Sequence, residues 1–278
     1  MKHFNKINIS RFVRSLLTIF VVFFLYACSG KDADNNKVPG NGKIALTFDD
    51  AFVENWGSIT SEIANRGATA TFFVSYYGND HKAINTRNSE MQNILHNIEQ
   101  MGFEIAAHSF GHARANEYIA EHGIQKWFNN EVKASTCLMI KDGFSIYSFA
   151  YPHSNSNSSL SDNKLLRYFG AVRTYNGASL NHSSGVYDDK SRVVMGAGID
   201  EAVLNMTELK GIIDNVAIND STLVLTAHDI SELNENSLYI KPSTLFEIID
   251  YGTSKGIEFI NFNKVVSGTK KVDNALCN

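Results

Sequence analysis

The sequence predicts an α/β protein made of one barrel-like domain with mainly parallel strands. From residue 43 onward, short apolar runs typical of strands alternate with segments whose apolar residues recur at helical spacing. Such alternation requires crossover connections, which produce a parallel sheet covered on both faces. Seven or eight strand–helix units in about 235 residues suit one barrel better than two smaller folds. An open doubly wound sheet is the alternative, although no glycine-rich phosphate-binding motif follows the first strand.

Apolar runs bounded by polar or turn residues predict the strands, because a strand buried on both faces reads as a continuous apolar run. Two aspartates end the first run, and Pro152 ends the fourth. In chain order, the predicted strands are residues 43–48, 70–75, 103–107, 145–151, 171–175, 192–199, 222–226 and 257–262.

Apolar residues three or four positions apart predict the helices between these strands. In the first helix, Trp56, Ile59 and Ile63 share one face, and Gly67 can end the helix as a C-cap. The other predicted helices are residues 91–101, residues 117–140 with a break at Gly123, a short helix near Leu165, residues 208–216 and residues 244–254.

The composition excludes several classes of protein. Of the 278 residues 44% are hydrophobic, which is far above the content of a disordered chain. The formal net charge of −4 provides no basic surface for a phosphate backbone, so we expect no nucleic acid partner. We also expect a monomer. Cys137 and Cys277 could pair in an oxidising compartment, but we expect two unpaired thiols.

The first 27 residues have the pattern of an export signal. They contain four basic residues and no acidic residue, and they end in an apolar run of about 12 residues, too short for a membrane span. The run closes with Leu25-Tyr26-Ala27-Cys28, which resembles a bacterial lipobox, in which the cysteine is lipidated. We therefore expect a lipoprotein signal peptide over residues 1–27, and lipidated Cys28 with a flexible tether over residues 28–42. This predicts an exported bacterial lipoprotein, anchored to the membrane of the cell envelope, at the outer membrane or surface of a Gram-negative cell.

Carboxylates and imidazoles follow four of the predicted strands. In chain order they are Asp49, Asp50, His108, His112, His153, His228 and Asp229. Ligands of parallel α/β folds bind at the carboxyl ends of the strands, so these side chains are expected to meet at one rim.

Each group admits a chemical and a structural interpretation. Asp49 and Asp50 are adjacent on a strand, so they should point to opposite sides, one binding a metal and the other lying beside it, unless they only end the strand in a turn or cap. His108 and His112 are four residues apart and can bind one zinc-like ion, although a turn explains the spacing equally well. His228 can act as a general acid near neutral pH or simply cap its strand.

These residues lie in four stretches of the chain. The stretches are Thr47-Phe48-Asp49-Asp50, His108-Ser109-x-x-His112, Phe149-Ala150-Tyr151-Pro152 and Leu225-Thr226-Ala227-His228-Asp229. In this order and spacing they resemble the motifs of the polysaccharide deacetylases, the family with the NodB homology domain. The resemblance covers about residues 43–262, and the first two motifs are specific in combination.

The resemblance implies a distorted (β/α) barrel of about seven parallel strands, with a catalytic domain over residues 43–278. It implies hydrolysis of N- or O-linked acetyl groups of a polysaccharide, with release of acetate. The reaction would depend on one divalent metal ion. Zinc is the expected ion, and cobalt, nickel or another divalent ion are the alternatives.

The resemblance also assigns roles by position in the motifs. The metal ligands would be Asp50, His108 and His112. Asp49 would be the general base, and His228 the general acid. The substrate- and oxyanion-binding turn would be Tyr151, Pro152 and His153, with the backbone N–H of His153 binding the oxyanion.

Two positions depart from the family pattern. Ala150 stands where many members carry an arginine that orients the base, and Arg173, near the fifth predicted strand, is a candidate replacement. Thr226 stands where leucine is usual. The motifs leave the aspartate partner of the acid histidine open, and the candidates are Asp188, Asp189 and Asp200.

Two other functions compete with the deacetylase. The two departures suggest an inactive glycan-binding lipoprotein on the same fold. Two histidines and a carboxylate also bind Fe(II) in oxygenases, but those enzymes typically place a close His-x-Asp pair on an all-β scaffold. Here Asp50 precedes His108 by 58 residues in an alternating pattern.

Overall fold

The protein is described by a computed structural model that covers residues 41–81, 84–156, 159–176, 181–233 and 237–278. The predicted signal peptide (residues 1–27), Cys28 and all but the last two residues of the predicted tether (residues 28–42) lie outside these ranges. Within them, the chain has no helix with the length and apolar character that a membrane span requires.

Eleven strands are present in the described residues, numbered here in chain order. They are β1 (Lys43–Asp50), β2 (Ala70–Val74), β3 (Glu104–Ala107), β4 (Ser148–Ala150), β5 (Ala171–Asn176), β6 (Val186–Tyr187), β7 (Val193–Gly198), β8 (Thr222–Ala227), β9 (Asp229–Ile230), β10 (Tyr239–Ile240) and β11 (Glu258–Phe259).

Eight α-helices connect or follow these strands. They are α1 (Val53–Asn65), α2 (Ser89–Gln100), α3 (Ala115–His122), α4 (Ile124–Trp127), α5 (Ala134–Lys141), α6 (Ser159–Leu165), α7 (Met206–Asn219) and α8 (Pro242–Ser254). The described helix starts include the side-chain caps Asn88 before α2 and Asn205 before α7, and α8 begins with Pro242, which is favoured in the first turn.

The sheet closes on itself because β1 pairs in parallel with both β2 and β8. Thr47 lies opposite Thr71 on one side and opposite Thr226 on the other. The order around the barrel is β1, β2, β3, β4, β5, β7 and β8, and every neighbouring pair is parallel. The barrel prediction is therefore confirmed, and the doubly wound alternative is wrong.

Side chains alternate between the outside and the inside of the barrel, as the two-residue period of strands requires. Large apolar residues such as Phe48 and Phe72 face outward and pack under the helices. Small ones such as Ala45, Ala106 and Ala150 face inward. The narrow interior thus leaves room for polar side chains on the same inward series near the carboxyl ends of the strands.

Several element bounds differ from the prediction. The first strand continues through Asp50, which pairs with Val74. The expected break of helix 117–140 at Gly123 is confirmed, since its φ of +82° interrupts the α-helix, but the continuation contains a π-helical segment, Phe128–Lys133, that was not predicted. The last predicted strand is reduced to β11, and Phe262 after it packs on Phe73 inside the barrel.

Cys137 and Cys277 form a disulfide, so the expectation of two unpaired thiols is wrong. The bond joins α5 to the C-terminal segment. That segment packs on the barrel domain because Val272 and Leu276 are buried in the outer core, and the Val272 N–H donates to the Ile146 carbonyl. The fold brings the two cysteines together across a sequence separation of 140 residues, which spacing alone could not reveal.

Candidate active site

A cavity of about 450 Å³ opens at the carboxyl ends of the barrel strands. Its lining includes six of the seven carboxylates and imidazoles that follow predicted strands: Asp49, Asp50, His108, His112, His153 and His228. The seventh, Asp229, lies outside the lining and accepts a hydrogen bond from Asn55 at 2.8 Å. The strands that precede these residues are parallel neighbours or close the barrel together, so their ends converge on one rim. The expected meeting of carboxylates and imidazoles is confirmed.

Asp50, His108 and His112 form a compact cluster of three ligand atoms that lie within 4.8 Å of one another. The Nε2 atom of His112 lies 2.8 Å from Oδ1 of Asp50, and the Nε2 atom of His108 lies 3.3 Å from the same oxygen. Burial disfavours a charged Asp50, but the two imidazoles beside it hold the pKa of its carboxyl well below the ordinary value. The carboxylate is therefore ionised near neutral pH.

The donor set of this cluster fits a metal cation. The Nδ1 atom of His108 lies 2.9 Å from the carbonyl oxygen of Ala150. Because a carbonyl can only accept, Nδ1 carries a proton, which leaves Nε2 as the atom that can bind a cation. Among the described residues, no group donates a well-aligned hydrogen bond to the buried Oδ1 of Asp50. Electron-pair donors that face one another in this way are suited to holding a divalent cation between them.

Both aspartates lie on the same side of the strand end, which differs from the expected opposite orientation. The Nε2 atom of His108 is 3.3 Å from Asp50 and 3.9 Å from Asp49. The physical reason is the backbone of Asp50, whose φ of +84° leaves the β region and turns its carboxylate toward the cavity. A non-glycine residue in this region is strained, and such strain is concentrated at functional sites.

Asp49 forms a buried ion pair with Arg173 of β5. Both side chains face the barrel interior, and the guanidinium also lies over the Phe73 ring, 4.9 Å from its centre. Arg173 is the residue directly opposite Ala150 in the pairing of β4 with β5. The candidate replacement for the missing arginine therefore contacts Asp49 from the neighbouring strand.

His228 is held by Asp200, which follows β7. The Nδ1 atom of His228 donates to Oδ2 of Asp200 at 2.7 Å, and its backbone N–H donates to Oδ1 at 3.1 Å. Burial lowers the pKa of His228, but the bond to Asp200 and the charges of Asp49 and Asp50 raise it to about 9. The imidazole is therefore protonated at neutral pH, with Nε2 as its second N–H.

Of the three candidate partners of His228, only Asp200 contacts it in the described residues. Asp188 and Asp189 line a separate cavity with Lys43 and Thr222, at the amino ends of β1 and β8. Tyr175 was not predicted to take part in this pair, but its hydroxyl lies 3.3 Å from Oδ2 of Asp200. Its ring also lies edge-on to His228. No local sequence signal links Tyr175 to Asp200, because they lie on neighbouring strands.

The turn Pro152–Ser154 follows β4 and carries His153 at the cavity. Tyr151 anchors this turn, since its N–H donates to the Arg173 carbonyl at 3.0 Å and its hydroxyl donates to Asp162 at 2.7 Å. Pro152, the first residue of the turn, is buried. The φ of +54° at His153 lets the ring face His112, with 4.5 Å between ring centres.

Comparison with known proteins agrees with this fold. Residues 36–169 match the sequence profile of the family described as polysaccharide deacetylase. No curated protein sequence matches the chain significantly.

Several solved structures share the barrel. The chitin deacetylase of the fungal pathogen Colletotrichum lindemuthianum is 15% identical, with a TM-score of 0.55, over 82% of this chain and 88% of that one. A family 4 carbohydrate esterase from Streptomyces lividans, in complex with acetate, is 15% identical, with a TM-score of 0.52, over 78% of this chain and 91% of that one.

A polysaccharide deacetylase from Bacillus cereus is 18% identical, with a TM-score of 0.51, over 80% of this chain and 92% of that one. At these identities the likeness is one of fold. The profile match over residues 36–169 and the shared barrel confirm the resemblance to the polysaccharide deacetylases.

Proposed function

We propose that the protein hydrolyses acetyl groups of a polysaccharide in a metal-dependent reaction that releases acetate. One observation carries the proposal. A single cavity holds a cluster of three metal-ligating side chains, a carboxylate paired with a buried arginine, and an imidazole kept protonated by a buried carboxylate. A carboxylate that can act as a base and an imidazolium that can act as an acid, both beside a cation site, are suited to hydrolysis of an acyl bond.

Asp50, His108 and His112 would hold the metal ion, and nitrogen and oxygen ligands of this kind suit zinc or a neighbouring divalent ion. Three protein ligands leave open positions for small molecules. A bound ion would supply Lewis acidity, which lowers the pKa of water and polarises the acetyl carbonyl.

Asp49 would take the proton from the attacking water. Arg173 contacts both oxygens of its carboxylate, so the side chain has a fixed orientation. The Nε2 atom of His108 lies 3.9 Å away, so the base is next to the metal ligands. The backbone N–H of His153 would stabilise the developing oxyanion, where one lost donor costs about 3 kcal/mol.

His228 would then protonate the leaving nitrogen or oxygen as its bond to the acetyl carbon breaks. Asp200 holds the Nδ1 proton, which leaves Nε2 as the acid at the cavity. Acetate and the free amine or hydroxyl are the products. The Streptomyces lividans relative was solved with acetate, which supports a product of this kind.

For the location of the protein, we propose export and attachment to the membrane through lipidated Cys28. The basic, apolar N-terminal segment and the lipobox support this proposal. The disulfide between Cys137 and Cys277 supports it independently, because such bonds persist in oxidising compartments such as the periplasm or the cell surface.

The inactive glycan-binding alternative was suggested by Ala150 and Thr226. Arg173 supplies a guanidinium to Asp49 from the strand beside Ala150. Thr226 lies inside the barrel, where its hydroxyl is 2.9 Å from that of Thr47, and it is not among the residues that line the cavity. Neither departure removes a group that the reaction needs, so the active enzyme is the better supported function.

The proposal is tested by measuring the metal content of the purified protein and its release of acetate from a panel of acetylated glycans. We expect about one divalent ion per chain, lost in His108→Ala, and no acetate release by Asp49→Asn or His228→Ala. His122→Ala changes a histidine of α3 beside Glu121 and serves as the matched control. Saccharide binding without turnover and without metal uptake would favour the binding protein instead.

A further inference from the structure

Glu131 is a buried carboxylate, 7% exposed, that contacts the loop carrying His112. It lies on the π-helical segment Phe128–Lys133, between α4 and α5. Its Oε2 atom accepts a hydrogen bond from the N–H of Gly111 at 2.8 Å. Its backbone carbonyl accepts one from the N–H of Phe110, also at 2.8 Å. One residue thus binds two consecutive peptide groups just before His112.

The position of Gly111 indicates that this contact is built into the loop. A Cβ atom at residue 111 would lie 2.8 Å from Oε1 of Glu131, too close for an ordinary contact. A glycine is therefore needed for space, so that the carboxylate can approach the backbone. The glycine within the histidine motif is explained by Glu131, which is 20 residues further along the chain.

The loop needs such support because its backbone is strained. Ser109 has a φ of +69° and His112 a φ of +57°, and neither is glycine. Strained residues of this kind persist only where the surroundings fix them. The Ser109 hydroxyl accepts from the His112 N–H at 2.9 Å, and Asn79 donates to the Phe110 carbonyl at 3.0 Å. Glu131 supplies the remaining two bonds to the loop backbone.

The π-helical segment supplies the geometry. In a π-helix the turn is wider than in an α-helix, and such segments are frequent at functional sites. Here it presents both the carbonyl and the carboxylate of Glu131 to the same loop. The regular α4 and α5 on either side keep the segment in place.

We infer that Glu131 is a positioning residue, which holds the loop of residues 109–112 so that Nε2 of His112 faces Asp50. The inference rests on the proposed function, because a displaced His112 would weaken the metal binding proposed there. Glu131 acts only through the backbone of Phe110 and Gly111. Partners of this kind behind a metal ligand typically contribute about 10- to 100-fold in affinity.

The experiment compares Glu131→Ala with Glu131→Gln. The glutamine keeps the size and an acceptor oxygen for the Gly111 N–H, so most of the function should be retained. Asn130→Ala is the matched control, because Asn130 lies on the same π-helical segment and bonds to the Tyr118 hydroxyl instead. Amide hydrogen exchange of residues 109–112 is measured in the metal-free proteins, and thermal unfolding verifies that each variant folds.

Metal affinity is then measured by competition between cobalt and a chromophoric chelator, with the visible spectrum of the cobalt-loaded protein. For Glu131→Ala we expect faster exchange in residues 109–112, affinity lower by about tenfold or more and an altered spectrum. In Glu131→Gln the exchange rates, the metal affinity and the spectrum should stay close to those of the wild type. Unchanged exchange in the folded alanine variant, or unchanged affinity with faster exchange, would overturn the inference. Faster exchange in Glu131→Ala together with no metal binding by the wild type would support the positioning of the loop and overturn the proposed metal function.

Discussion

Arg173 and Ala150 lie directly opposite each other in the parallel pairing of β4 with β5. The arginine that the family motif places at position 150 is absent, and a guanidinium from the neighbouring position of the next strand contacts Asp49. Both positions face the interior, so either can direct a long side chain toward the same carboxylate. The ion pair is thus kept although the motif residue is changed.

Replacement of Arg173 by methionine is expected to reduce acetate release strongly and to destabilise the fold. Both partners of the ion pair are buried, and removal of one leaves an unpaired charge on Asp49, at a cost of about 3–5 kcal/mol. Acetate release and urea unfolding are the measurements. Arg66→Gln, which removes a surface pair with Asp250, is the control and should leave acetate release unchanged. Wild-type turnover by Arg173→Met would contradict the role given to the pair.

The pH dependence of kcat/KM is expected to show a limb on the alkaline side that belongs to His228. The acid must be protonated, and the pKa of His228 is raised to about 9, chiefly by Asp200 against the lowering effect of burial. A cation bound nearby would lower this value, so the limb should lie at or below about 9. In Asp200→Asn the negative charge that raises the pKa of His228 is lost, and we expect the alkaline limb to move down by about one pH unit or more. If the alkaline limb does not move in Asp200→Asn, it belongs to a group other than His228.

The same pair should make stability depend on pH in the metal-free protein. The pKa of His228 is about 9 in the folded chain and about 6.5 ordinarily. Because the folded value is the higher one, the stabilisation is fully present below about pH 6.5 and is lost as the pH rises through about 9. The difference is on the order of 3 kcal/mol. Urea unfolding at pH 6 and pH 10 measures it, and His228→Gln should remove this part of the dependence.

The alternation of apolar runs was sufficient to predict the barrel because each strand is buried on both faces. Strand ends then predicted which residues share the cavity, since parallel strands end at one rim. The orientation of Asp50 was not predictable in this way. Its φ of +84° overrides the alternation of the strand, and nothing in Thr47-Phe48-Asp49-Asp50 indicates a change of backbone region.

Partners that join distant parts of the chain were the least predictable. Arg173 and Asp200 could only be named as candidates, because their distance from Asp49 and His228 depends on strand order and register. The contact of Glu131 with the histidine loop carries no local signal apart from Gly111. The pairing of Cys137 with Cys277 depends on where the C-terminal segment packs, so the expectation from spacing was wrong.

Gly196 lies beside the Thr226 hydroxyl inside the barrel, so we expect Gly196→Ala to destabilise the fold. A Cβ atom at residue 196 would overlap the Thr226 hydroxyl, which can move away only by giving up its contact with Thr47. Overpacking of this kind costs about 1–3 kcal/mol. In a Thr226→Ala background the overlap is absent, so the same change should cost much less. Equal costs in the two backgrounds, measured by urea unfolding, would show that Thr226 is not the cause.

The disulfide is expected to stabilise the fold without contributing to the cavity. It joins α5 to the C-terminal segment across 140 residues, and a crosslink that closes a long loop restricts the unfolded chain. Its loss should cost about 2–5 kcal/mol. Urea unfolding with and without reductant, compared with a Cys137→Ser, Cys277→Ser double variant, measures this cost. Neither sulfur atom belongs to the cavity lining, so metal content at low denaturant should be the same in all samples. An unchanged midpoint after verified reduction would mean that the packing of Val272 and Leu276 alone holds the C-terminal segment in place.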